Sequence, residues 1–500
     1  MFRPFLARGT LNECFRDMLS ISLVFAAALL LRAYHFSTMP IDRMDESYHR
    51  WLMTTLTIEN RGVYSDFKPM PNMAILWLPL FQYLSGFLML ISHNGSILIP
   101  RLVSMFFGAL TSIVVYFICL RLYENRWLAT VGGLVLGFQP WHIDYSTVGV
   151  PGALLSFLVA LAVFSFITNK VWLFSLSSAL AMLTSYEAWF VTAFLLVIGF
   201  RYRGWKTRRT LLPIGVALAV ALGWCGWSAI QAKHPLEWFA TYLASIGWVP
   251  HLGDPSETLL FYTNEAIKMT FFLFVIGVVL GMLRSRETRV LTCLSIAYIV
   301  FYTFAHLVGL DYGDPGRLVV ILPLMSAVLP PALPKPNKRV LLGLALLVLL
   351  AVPYFSLIWI FPKNVYVVTP ESRAGLALGK AYVRGSVLCD FPSVMYFSRL
   401  KPNRFISYEH LDWYLNLRDD AKLEEWLKHS DVTLLVWQNV TYSKCWKIFS
   451  SLGEGRNQTI GRVNFTLVYE DSSRTGYWEH RYNATDIFLY KIDQFNQRPS

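Results

Sequence analysis

The stretch MAILWLPLFQYLSGFLMLI, residues 73–91, decides how the chain is threaded. It is apolar and close to the ~20 residues that cross a bilayer, yet Pro79 and Gln82 lie near its centre. If it crosses, the basic RLYENR loop (121–126) falls outside and every later basic loop is inverted. That breaks the rule that Lys and Arg stay on the cytoplasmic side. If it hugs the membrane within one external loop, every later loop lands where its charge belongs. A central proline and a polar amide suit such a re-entrant or interfacial helix, and this reading is adopted.

The rest of the composition agrees with a membrane chain. Of 500 residues, 55% are hydrophobic and only 15% charged, below the quarter usual in soluble domains. The net charge of +12 gathers in short loops, which marks membrane sidedness rather than a nucleic-acid face. Arg3, Arg8 and Arg16 precede the apolar run 18–34, which places the N-terminus in the cytoplasm and residues 36 onward outside. That run is too long for a signal peptide and lacks a cleavage site, so it reads as a retained first helix. Further spans are expected at 97–120, 127–139, 152–168, 171–184, 188–200, 210–229, 269–283, 290–309, 318–333 and 340–361. The loops they leave inside, RLYENR, NK, RYRGWKTRR, RSRETR and PKPNKR, are all basic. About eleven crossings put the C-terminus outside.

The expected fold class is therefore a polytopic α-helical membrane domain, 1–361, followed by an extracytoplasmic α/β domain, 362–500. The first external loop, 36–96, carries the 73–91 helix. In the tail, SVLCDF and VTLLVW suit buried strands, AKLEEWLKHS an amphipathic helix, and NFTLVYED and DIFLYKID strands that finish a sheet. Asn439, Asn457, Asn464 and Asn483 each begin a glycosylation sequon in this tail, and Asn94 begins one in the first loop. Sequons are used only on an extracytoplasmic surface, so their place agrees with the charge reading. Dense sequons on an outer domain suit an archaeal cell membrane, or the ER membrane if eukaryotic. The six cysteines form no metal-ligand spacing; Cys389 and Cys445 would pair only if the tail is outside.

The ionisable residues on the outer side are Asp45, Glu46, His49, Lys68, Asp144, Glu187, His251, Asp254, His306, Asp311, Asp314 and Arg317. Charges near a bilayer are costly and tend to face a wet cavity. In RMDESYHRWL (43–52), Asp45 suits either a helix N-cap or a general base held ionised by the helix dipole. Glu46 is spaced to pair with Arg50 at i,i+4. Glu187 has no nearby cation in sequence, so it reads as a solvated turn residue or a functional acid; Asp144 carries the same choice. Arg317 is either a snorkelling anchor paired with Asp311 or Asp314, or a phosphate clamp. Lys68 and His251 are weaker candidates for the same phosphate.

The early Asp–Glu pair, the WLPLFQYL helix, the run from PRLVSMFFGAL to QPWHIDYS (100–146) and LTSYEAWF (183–190) together resemble the GT-C membrane glycosyltransferases. The resemblance is to the branch of family 39 protein O-mannosyltransferases and their ArnT-like and RgtA-like relatives, and covers roughly 15–330. It implies inverting sugar transfer from a polyprenyl (dolichyl) phosphate donor at the extracytoplasmic face. Asp45 would take the acceptor proton or orient the acceptor, Glu46 would support it, and Arg317 would hold the leaving phosphate. Membrane lipids are the other expected partners; no cofactor and no metal are expected. Two departures stand out. Gly152 lies near the place where relatives carry an acid, which leaves Asp144 or Glu187 as substitutes. WLPL replaces the relatives' Lys-Pro-Pro-Leu, which leaves Lys68 as the available lysine.

Three other readings compete. An oligosaccharyltransferase shares the fold plan but carries a WWD-type motif that LDWYLN and GYWEHR do not match. A transporter would place broken helices and polar groups at the bilayer midplane, whereas these charges gather at one face. A non-catalytic scaffold binding a lipid-linked sugar accommodates Gly152.

Overall fold

The computed structural model describes residues 11–38, 45–71, 73–202, 207–246, 255–270, 273–308, 310, 314–330, 370–438, 444–471 and 486–493. The expected span 340–361 lies outside these, as do His251, Asp254, Asp311, Asn439 and Asn483. Chain contacts divide the protein into two units. One comprises 1–39, 77–237 and 250–363; the other comprises 40–76, 238–249 and 364–500. Residues 40–76 thus group with the C-terminal part of the chain, not with the membrane domain to which the sequence reading assigned them.

Among its described residues, the regular elements of the first unit are all helices. Four helical segments among the described residues are long and apolar enough to cross a membrane: Phe15–Ser37, Leu98–Tyr123, Leu211–Ala232 and Arg286–Leu307. At 1.5 Å per residue, the 26-residue helix Leu98–Tyr123 extends about 39 Å, past the ~30 Å hydrocarbon core. The helices expected near 127–139, 152–168 and 171–184 form, but with 12, 16 and 12 residues. They are shorter than a spanning helix, and much of their surface is packed against neighbouring helices. The turn between Leu98–Tyr123 and Arg126–Gly137 is built by its sequence. Glu124 adopts the left-handed conformation that ends the first helix, and the Asn125 side chain accepts from the Trp127 and Leu128 amides to start the second.

Hydrophobic burial drives folding weakly where the surroundings are lipid, so close approach of backbones matters more. Gly132 and Gly133 supply it. A Cβ at Gly132 would lie 2.3 Å from Cys119 Sγ, and one at Gly133 2.7 Å from Val24 Cγ1. The helix Leu211–Ala232 instead turns Leu211, Leu218, Leu222 and Ile230 outward, a face that suits lipid better than water.

The deciding stretch 73–91 is not one helix. It forms Met73–Leu76 and Leu80–Ser92, interrupted at Trp77, Leu78 and Pro79. Proline supplies no amide to a helix and restrains the residue before it. The second piece, 13 residues long, extends only about 20 Å. Its Leu80 amide donates to Leu183 O (3.1 Å), and Gln82 is buried.

The second unit holds a mixed six-stranded sheet of β1 (Ser386–Leu388), β2 (Phe405–Ile406), β3 (Val432–Gln438), β4 (Gln458–Ile460), β5 (Val463–Asp471) and β6 (Ile487–Asp493), in the order β2-β1-β3-β6-β5-β4. β1 pairs parallel with β2 and β3; the other pairs are antiparallel. All four tail strands read from sequence are present, and AKLEEWLKHS lies in the helix Asp420–His429. The helix Asp45–Glu59 packs here: Trp51 meets the Tyr396 ring edge-on at 4.9 Å, and Tyr48 lies 5.5 Å from it. Lys68 O accepts from the Ser407 amide (3.1 Å). Cys389 and Cys445 are both buried and free, so the disulfide considered from sequence is not formed.

Candidate functional site

Glu187 and Arg317 meet in the first unit. Arg317 Nη1 donates to Glu187 Oε1 at 2.6 Å, with the two side chains 12% and 11% exposed. The second carboxylate oxygen, Oε2, accepts from Ser185 Oγ. Glu187 opens the helix Glu187–Tyr202, where the positive end of the helix dipole favours a carboxylate. It is therefore neither a solvated turn residue nor without a cation; the pairing is long-range and invisible along the chain.

Arg317 sits in a six-residue 3-10 turn, Pro315–Val320, that precedes the helix Leu322–Val328. The expected helix 318–333 thus begins as a tighter turn. Asp314 starts it by accepting from the Gly316 amide (2.8 Å), and Pro315 suits its first position. Asp314 thus caps the turn, and Glu187 is an acid bridged to Arg317. Tyr298 is fully buried and donates its hydroxyl to Arg317 O at 2.9 Å. The Tyr302 ring lies 5.2 Å from the guanidinium carbon, within cation–π range. On the other side, Tyr186 accepts from Trp224 Nε1 (2.9 Å), and Trp224 stacks on Trp227 at 4.6 Å. The cation is thus held at its side chain by an acid, at its backbone by a phenol, and beside aromatic rings.

A second buried network lies where the helix Leu11–Thr38 meets the short helix Pro140–Tyr145. Asp144 is buried, with Oδ1 3.6 Å from His35 Nε2, and His35 Nδ1 lies 2.7 Å from Thr147 Oγ1. Arg32, fully buried, donates to Ser146 Oγ (2.9 Å), Ala28 O (2.8 Å) and Gly137 O (3.3 Å), and its Nη2 is 2.7 Å from His142 Nδ1. Arginine only donates, so His142 accepts at Nδ1 and carries its proton on Nε2. Burial, and secondly Arg32, hold this imidazole well below its usual range. Arg101 Nε donates to Thr147 O (2.8 Å). The two networks come close at Gly316, where a Cβ would lie 2.5 Å from the Tyr145 hydroxyl oxygen.

The other sequence candidates are placed elsewhere. Asp45 opens its helix, and its side chain lies outside the described residues. Glu46, about half exposed, pairs with Arg50 (3.1 and 2.8 Å) as the i,i+4 spacing implies. The Lys68 side chain is exposed. Gly152 has open space around it, with Tyr145 Cδ1 3.9 Å from a built Cβ. Asn94 and Asn457 are exposed. Asn464 lies within β5 and accepts from Thr459 Oγ1 (2.9 Å). No group of three or more His, Cys, Asp or Glu converges on a metal site among the described residues. Sequence reading missed Arg32, His35, Arg101 and Ser185. Arg32 carried a signal, being a charge inside an apolar run; His35 and Ser185 carried none.

No protein-family model matches the chain, and no curated protein matches it in sequence. Solved structures do. ArnT from Cupriavidus metallidurans bound to undecaprenyl phosphate superposes with a TM-score of 0.66 at 13% identity, over 94% of this chain and 97% of that one. The archaeal oligosaccharyltransferase AglB from Archaeoglobus fulgidus, in complex with an inhibitory peptide and a dolichol-phosphate, gives 0.56 at 12% identity over 98% and 75%. The arabinofuranosyltransferase AftD from Mycobacteria gives 0.54 at 14% identity over 95% and 42%. At such identity a likeness establishes fold and not chemistry. Helices too short to cross alone, an interrupted 73–91 segment and an α/β tail therefore belong to one architecture: the chain has the GT-C fold.

Proposed function

We propose that this protein is an inverting glycosyltransferase that moves a sugar from a polyprenyl-phosphate donor to an acceptor hydroxyl on a lipid, glycan or protein at the extracytoplasmic membrane face. The observation that carries this reading is the held cation at Arg317, on a fold shared with one protein whose structure contains undecaprenyl phosphate and another whose structure contains a dolichol-phosphate. The acceptor oxygen attacks the sugar C1 as the C1–O bond to phosphate breaks, and the polyprenyl phosphate leaves with the bonding electrons. Arg317 stabilises the charge that grows on that phosphate, an effect worth most in a site shielded from water. Asp45 takes the acceptor proton, the role that the sequence resemblance gives it. Glu46, tied to Arg50, supports the helix turn that begins at Asp45.

En bloc transfer of a glycan, as by an oligosaccharyltransferase, is the second reading, favoured by the likeness to AglB. The test is in-membrane transfer from a radiolabelled polyprenyl-phosphate sugar, comparing wild type with Asp45→Asn at matched expression. Loss of about a hundredfold or more, the order of a lost general base, supports the reading. Equal transfer removes Asp45 from the chemistry, and no transfer by wild type from any monophosphate donor, with transfer from a lipid-linked oligosaccharide, selects the second reading.

A further inference from the structure

Resting on the proposed phosphate role of Arg317, we propose that Glu187 sets the charge of the ligand that the site retains. It favours a singly charged phosphodiester, the class of the donor, over a doubly charged phosphomonoester, the class of the spent lipid. Three observations carry this. Glu187 and Arg317 form a nearly buried pair at 2.6 Å, so a third charge beside them meets a dipole rather than a full positive charge. Ser185 Oγ occupies the other Glu187 oxygen, so the carboxylate is pinned from both sides. Asp314, three residues before Arg317, caps the Gly316 amide and so fixes the turn that carries the guanidinium.

The arithmetic of charge then separates the two ligands. A phosphodiester brings one negative charge to be desolvated, attracted by Arg317 and repelled by Glu187. A phosphomonoester brings close to two at neutral pH and above. Arg317 attracts both charges and Glu187 repels both, so the net-neutral pair gives the second charge little to offset its larger cost of leaving water. Glu187 acts here as a positioning residue with an electrostatic consequence. It aims the guanidinium, and it keeps that cation from trapping the product. Tyr298 donates to Arg317 O and the Tyr302 ring lies beside the guanidinium, contacts that both ligands meet alike.

The experiment measures binding of farnesyl phosphate and of its methyl ester to the full chain in detergent at pH 8, where the first is doubly and the second singly charged. Wild type is expected to hold the methyl ester about tenfold more tightly, the size of a like-charge penalty screened by a partly wet site. Glu187→Gln is expected to lose or reverse that preference, by gaining affinity for farnesyl phosphate. Glu187→Asp, which keeps the charge, is expected to retain it. A wild type that prefers farnesyl phosphate, or a Glu187→Gln variant that keeps the wild-type ratio, overturns the proposal and leaves the phosphate role of Arg317 standing. The wild-type comparison decides even if a variant fails to fold. If neither probe binds wild type, and Arg317→Ala behaves the same, the phosphate reading itself fails and this proposal with it.

Discussion

Arg317 Nη1 and Glu187 Oε1 lie 2.6 Å apart although 130 positions separate them in the chain. Breaking a buried ion pair from one side leaves an uncompensated charge and costs about 3–5 kcal/mol, whereas removing both charges costs far less. Arg317→Met is thus expected to lower the melting temperature sharply, and the double variant Arg317→Met/Glu187→Gln to recover most of it. Transfer activity is expected to fall about a hundredfold or more in both variants. Thermal unfolding and in-membrane transfer, measured together, separate the structural role from the chemical one. Recovery of activity in the double variant would remove Arg317 from the reaction.

Gly316 is the point at which the Arg317 turn touches the helix carrying Asp144. A methyl group there would meet Tyr145 at 2.5 to 2.8 Å, too close for any rotamer to relieve without moving the ring. Gly316→Ala is expected to cost about 1–3 kcal/mol of stability. In a Tyr145→Ala background the same change is expected to cost almost nothing. A double-mutant cycle reads the difference, and simple additivity would show that the contact is not the cause.

Arg32 is a fully buried cation with hydrogen-bond partners at Ser146, Ala28, Gly137 and His142. Lysine at this position would keep the buried charge and lose the planar fork that satisfies it, whereas methionine removes the charge. Arg32→Lys is accordingly expected to be the more destabilising of the two, by about 1–3 kcal/mol. Thermal unfolding of both variants checks the order, and the reverse order would mean that the charge itself is needed.

Alkaline pH is expected to loosen the sheet domain. Tyr490 is fully buried and donates to Leu452 O, and burial pushes its phenol from 10.0 up to about 12. A raised pKa in the folded state means that folding favours the protonated form. That stability is complete below pH 10 and is lost as pH climbs through 12. Tyr408, which donates to Val436 O at 2.7 Å, is shifted in the same direction by burial. A late component of the tyrosinate absorbance should rise together with loss of near-ultraviolet circular dichroism. A titration with no late component, and the signal intact throughout, would contradict it.

The sequence by itself determined the class of the molecule and the local devices within it. Composition and basic loops marked a membrane protein, Asn125 and Glu124 fixed a helix turn, and short apolar runs and alternation marked the strands of the tail. Pro79 interrupted the 73–91 segment because a missing amide acts on its own neighbours. These are short-range effects, written in adjacent residues. Tertiary structure alone decided that Glu187 faces Arg317, that Asp144 faces His35, that Arg32 is satisfied by four partners, and that residues 40–76 group with the C-terminal part of the chain. Each of these joins positions far apart in the chain, and a buried charge takes whatever partner the packing brings within reach. Nothing in the residues beside it names that partner.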